Sequence, residues 1–287
     1  MTRARTAAGW RGDGMELSAL TLLGLASGLL VTGAVAGTLA GLLGVGGGIV
    51  IVPVLSWVLA LIAFPPDISQ HMAVATSLAT IIPTAISSTR AHRARGAVDD
   101  ALVRRWGPAM VAGALIGGLA ARYVSGDVLR LIFGAVALIV AVNMAIPRTL
   151  VVGTSLPGGA AGQPVPLVIG LFSALMGIGG GTLAVPVQSA FSVPVHRAVG
   201  TAAAFGLLIA IPGTLGFVWA GWGRADLPPG SLGYVSLPAA AAIIPTTWAF
   251  APLGARLAHA IDQSALKRAF ALFLAITALR MLATALT

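Results

Sequence analysis

Two stretches of this chain, "GLLGVGGGIVIVP" at residues 41 to 53 and "ALMGIGGGTLAVP" at 174 to 186, repeat one pattern of glycines ahead of a proline. Aligned, they pair Gly44, Gly46, Gly47, Gly48 and Pro53 with Gly177, Gly179, Gly180, Gly181 and Pro186. Glycine accepts positive φ and lets another group approach the backbone closely. A helix starting just after such a turn, near Ile49 or near Thr182, presents unpaired N–H groups and the positive end of its dipole. That combination holds an anion without any charged side chain. The candidates for such contact are Gly46, Gly47, Gly48, Gly179, Gly180, Gly181 and Thr182. The competing reading is close helix packing, which small residues also serve in membranes; recurrence of the cluster in register favours a site.

A second pair of strings, "HMAVATS" (71 to 77) and "HRAVGTA" (196 to 202), matches His71 to His196 and Thr76 to Thr201. Thr76 and Thr201 are therefore the best side-chain candidates at the site, although a threonine in a membrane helix commonly bonds its own backbone. Ser77 lies beside Thr76, whereas Ala202 takes the matching place in the second string. His71 and His196 each open a helix, where anchoring the helix end is the plain role and titration during a functional cycle the alternative. Arg197 either draws an anion toward a vestibule or snorkels to the interface, and Arg90 in "STRAHRAR" reads as a topology signal. No acidic residue sits clearly in mid-span, which argues against a cation pump or a carboxylate proton relay.

These groups must be positioned by membrane helices. The 287 residues are 57% hydrophobic and 9% charged, with a mean hydropathy of +0.97, against about 25% charged in soluble domains. This predicts an all-α polytopic membrane protein whose solvent is the lipid bilayer. The net charge of +9 marks loops and not a nucleic-acid surface. There is no cysteine, so disulfides, thiolate metal sites and a cysteine nucleophile are excluded. The four histidines have no metal-ligand spacing, and "GVGGG" lacks the strand and the acid of a dinucleotide fingerprint. No cofactor or metal is expected, no enzyme constellation is present, and no feature sets an oligomeric state.

Apolar runs ended by charge, Pro or Gly predict helical segments at 17–43, 48–63, 71–90, 102–122 and 128–146, then 165–177, 181–193, 197–221, 233–257 and 264–286. The Gly- and Pro-rich stretch 147–164 reads as a linker, so the repeats are 17–146 and 165–287, after a polar lead at 1–16. Residues 1 to 14 read either as an extension before a start at Met15 or as a disordered lead, and the run from Leu17 is longer than a signal-peptide core of about 7–15 residues. Segments 165–177 and 181–193 are short for a span, and read as half-helices meeting at a mid-membrane turn. The two clusters are then expected to face each other across one pocket.

Loop charges give the orientation. Arg90, Arg93, Arg95, Arg104 and Arg105 against Asp99 and Asp100 leave +3 after the third segment, whereas Arg224 and Asp226 cancel after the eighth. The next connection reverses the bias, so the positive-inside rule predicts halves that cross the bilayer in opposite directions. Inverted repeats with broken or re-entrant helices are a transporter signature.

The doubled Gly-x-Gly-Gly-Gly, its proline and the two His-x-Ala-Val strings resemble the sulfite exporter TauE/SafE family of bacterial permeases, from about Leu17 onward. The resemblance implies a multi-pass secondary transporter of the cytoplasmic (inner) membrane carrying a small sulfur oxyanion such as sulfite, a sulfonate or thiosulfate. It places Gly46 to Gly48, Thr76, Gly179 to Gly181 and Thr201 at the pocket. The alternatives are a passive anion channel and a non-transporting membrane partner or assembly protein.

Overall fold

A computed structural model of the chain describes residues 19–61, 64–145, 151–156, 159–258 and 263–286. The N-terminal lead, Met15 included, lies outside them. The described residues form helices α1 (Ala19–Leu43), α2 (Gly48–Leu61), α3 (Pro66–Arg93), α4 (Asp100–Ala120), α5 (Gly126–Ala145), α6 (Pro164–Met176), α7 (Gly181–Ala190), α8 (Val195–Ala220), α9 (Leu237–Leu257) and α10 (Gln263–Leu286). Five of these contain spans long and apolar enough to cross a bilayer: Leu23–Leu43 in α1, Pro66–Arg93, Gly126–Ala145, Val195–Ala220 and Leu237–Leu257. Leu23, Val31, Ile139, Leu215 and Ile276 stand exposed on the outside, as side chains facing lipid do. The protein is an all-α polytopic membrane protein.

Two helix starts differ from the sequence expectation by more than three residues. Helix α3 begins at Pro66 and not at 71, because Pro65 and Pro66 preset φ for a first turn that needs no N–H donor. Residues 233–236, expected inside the ninth helix, belong instead to a hairpin of β1 (Ser231–Leu232) and β2 (Val235–Ser236), with Leu232 paired to Val235. Gly230 and Gly233 hold φ of 79° and 53°, conformations a helix excludes and glycine admits.

Packing runs across the middle of the sequence. Gly33, Gly37 and Gly41 of α1 lie against the α9 backbone at Ile243, Thr247 and Ala251 in that order, so the two helices run parallel. Gly113 and Gly117 of α4 meet α6 at Leu167 and Leu171 in the same parallel sense. Glycines four apart bring backbones together, a membrane substitute for the hydrophobic effect. The two most buried long helices form the centre: Gly206 of α8 lies against Ala85 and Gly213 against Leu78, so α8 runs antiparallel to α3. Around them α5 packs on α10.

Candidate functional site

The two glycine turns meet in the core. A methyl group on Gly46 would come within 2.9 Å of the Gly179 Cα, and one on Gly179 within 2.9 Å of the Gly46 Cα. A methyl on Gly48 would overlap the Gly177 carbonyl oxygen, and one on Gly181 that of Gly44. The turns therefore face each other in backbone contact. The glycines both end the helices and let the two turns pack.

The turns also differ in backbone. Gly44, Gly46 and Gly47 have φ of 67°, 74° and 76°, whereas in the second turn only Gly177, the left-handed cap of α6, is positive at 69°. Gly180 instead has helical φ and ψ as the N-cap of α7. Helices α2 and α7 start here, and their first amides have no partner within their own helix. Pro53 and Pro186, five positions into each, also remove the donors that would satisfy the carbonyls of Ile49 and Thr182.

The hydroxyl candidates take distinct roles. Ser77 Oγ donates to the Gly177 carbonyl at 2.7 Å, closing the second turn from the first half. Thr76 Oγ1 accepts the Ser236 N–H at 2.9 Å, and Thr201 Oγ1 accepts the Asp99 N–H at 2.9 Å. Ser236 and Asp99 are the N-caps of α9 and α4, and each caps its own helix through Ala239 N and Leu102 N. The two threonines thus fasten matching helix starts, on α3 and on its antiparallel counterpart α8. Thr182 differs: it is 2% exposed, and its hydroxyl has no hydrogen-bond partner.

Thr76→Val and Thr201→Val each strand a helix-cap N–H, and each is expected to cost about 1–3 kcal/mol. Thermal unfolding in detergent measures this; a melting temperature unchanged from wild type in both would show that the hydroxyls do not hold the caps.

The histidines part company. His71 is buried, its Nδ1 3.0 Å from the Asp67 carbonyl and its Nε2 2.9 Å from that of Val124 and 3.1 Å from that of Ala121. Its ring stacks on Tyr234 of the hairpin at 4.8 Å. Arg224 donates to the Tyr234 hydroxyl and grips Asp226 with two N–H groups, which holds that carboxyl below its ordinary range. His71 is therefore an anchor joining α3, the α4–α5 connection and the hairpin. His196 is exposed, and Arg197 beside it pairs with Asp99 at 3.1 Å, fastening the segment that Thr201 also holds.

A cavity of about 570 Å³ opens at the C-terminal ends of α3 and α9, lined by Ser87, Arg90, Ala91, Ala94, Arg95, Trp248, Pro252 and Arg256. Sequence reading gave Arg90, Arg95 and Arg256 only a topological role, as loop charges. The signal was their helical spacing: 87, 90, 91 and 94 share one face of α3, and 248, 252 and 256 one face of α9.

A helical membrane bundle with two glycine-broken segments meeting in its core has the construction of a membrane transport protein. The family model described as "Sulfite exporter TauE/SafE" matches residues 29–281, and the chain belongs to that family. A Haemophilus influenzae protein named "Probable membrane transporter protein" is 35% identical over 260 residues, covering 88% of this chain and 96% of the relative. "Probable membrane transporter protein YunE" of Bacillus subtilis is 28% identical over 251 residues, 80% of this chain and 87% of its own. A Methanocaldococcus jannaschii protein, "Probable membrane transporter protein MJ0441", is 26% identical over 232 residues, 79% and 82% of the two chains. No solved structure matches.

Proposed function

We propose that the protein is a secondary transporter that moves a small sulfur-containing oxyanion across the cytoplasmic membrane by alternating access. The observation that carries this reading is the meeting of two glycine turns at the starts of α2 and α7, with the unpartnered Thr182 hydroxyl beside one of them. Helix N-termini and a hydroxyl donor suit an oxyanion in a low-dielectric core. Gly46 to Gly48, Gly179 to Gly181 and Thr182 are assigned to the substrate, and Thr76, Ser77, Thr201, His71, His196 and Arg197 to holding and releasing the helices around it.

The halves are read as inverted repeats, supported by the antiparallel run of α3 and α8, which carry the matching His-x-Ala-Val strings. Their two threonine bonds then lie toward opposite membrane faces, where breaking one while keeping the other opens one side. The arginine-rich end of α3 is read as cytoplasmic.

Uptake of labelled sulfite into proteoliposomes, with thiosulfate, sulfoacetate and chloride as competitors, tests the reading. Saturable flux blocked by a sulfur anion and not by chloride is the expected result. Non-saturating flux shared with chloride would make the protein a channel, and no flux of any anion would remove the transport reading in favour of an assembly partner.

A further inference from the structure

The geometry points to a separate oxyanion site in the cavity between the C-terminal ends of α3 and α9, where Arg90, Arg95 and Arg256 hold a phosphate- or sulfite-type group. This site stands apart from the glycine turns, and its existence does not depend on what the protein transports.

Three guanidinium-bearing residues and no carboxylate line this cavity among the described residues. Arg93 and Arg197, nearby on the same end of the bundle, are by contrast committed to Asp100 and Asp99. Arg95 gives one N–H to the Ala91 carbonyl, which leaves the rest of its five donors. Guanidinium groups present paired donors that match the spacing of oxygens on phosphorus or sulfur. The remaining wall, Ala91, Ala94, Trp248 and Pro252, is largely apolar.

The cavity is also built. Pro252 carries no N–H, so it leaves the Trp248 carbonyl without its helical donor. Ser87 Oγ of α3 donates to that carbonyl at 3.0 Å, which fixes the spacing of α3 and α9 where the space begins. The arginines sit where the apolar runs of α3 and α9 end, which in a membrane-spanning bundle is the level of the lipid headgroups. An oxyanion can reach them from two sources: as a free solute, or as the phosphodiester of an anionic lipid whose chain lies along Trp248.

The test uses the full chain in nanodiscs. In one arm the discs contain only phosphatidylcholine, and binding of inorganic phosphate and of sulfite is measured by calorimetry. In the other they include phosphatidylglycerol, and the lipid retained on the protein is counted by native mass spectrometry. Arg90→Gln and Arg256→Gln are each expected to weaken binding in one arm by at least about tenfold, while Arg90→Lys keeps most of it. Arg122→Gln serves as control, because Arg122 packs over Trp219 away from this cavity. Loss in the first arm identifies a solute site, and loss in the second a lipid site. Binding by Arg90→Gln and Arg256→Gln equal to wild type in both arms would overturn the site, as would an equal loss in Arg122→Gln. The substituted side chains are exposed, and a monodisperse elution profile verifies that the variants fold.

Discussion

Gly181→Ala is expected to lower the stability of the folded protein by about 3 kcal/mol or more. The added methyl group would enter the space of the Gly44 carbonyl oxygen and lie 2.7 Å from the Val45 nitrogen. Both are backbone atoms of a turn whose own left-handed glycines allow it little freedom to move, so the strain is not relieved by a rotamer change. Gly24→Ala is the matched comparison. Gly24 is exposed within α1 and has nothing within 4 Å of an added methyl, and alanine in a helix is favoured over glycine by about 0.5–1 kcal/mol. Thermal unfolding of both variants in one detergent should separate them, Gly181→Ala well below wild type and Gly24→Ala at or above it. Equal melting temperatures would mean that the two turns do not pack as described.

Thr182→Val should do the opposite: leave the fold intact and abolish function. A buried hydroxyl without a partner costs stability, so a near-isosteric apolar replacement is neutral or stabilising by up to about 1–3 kcal/mol. If Thr182 Oγ1 donates to the transported anion, the same change removes a hydrogen bond to a charged group and lowers substrate binding by at least about tenfold. Sulfite flux in proteoliposomes and the melting temperature, measured on one preparation, give the two readouts. Thr182→Ser keeps the donor and should retain flux. Wild-type flux in Thr182→Val would take this residue out of the substrate site; a large loss of stability would instead show that its hydroxyl has a structural partner.

Much of the architecture is legible in the sequence because membrane helices announce themselves locally. Long apolar runs, their breakers and their flanking charges placed the ten helical segments, α3 and the α9 start apart. Those two misplacements have local causes: "PPDISQ" looks polar enough for a loop, yet its prolines nucleate the first turn of α3, and "GSLGYVS" looks apolar enough for a span but is punctuated by left-handed glycines. The duplication of the glycine cluster correctly indicated that the two turns belong together. Their distance of approach was not legible, since the composition of each turn is equally compatible with a gap or with contact. Nor was the pairing of Thr76 with Ser236 or of Arg90 with Arg256 across one cavity. Such partners lie far apart in the chain and are brought together only by the packing of α3 on α9.

The threonine bonds to the helix caps also constrain biosynthesis. Thr201 lies 102 residues after the Asp99 amide it accepts, and Ser236 lies 160 residues after Thr76. When α4 leaves the translocon its cap amide has no partner until α8 has been made, while α1 waits longer still for α9. Insertion and tertiary assembly are thereby separated in time, and the early helices must remain in the bilayer in a provisional arrangement until α8 and α9 have been made. Each half is consequently the other's folding template, and two halves synthesised as separate polypeptides in one membrane have all the surfaces they need to find each other.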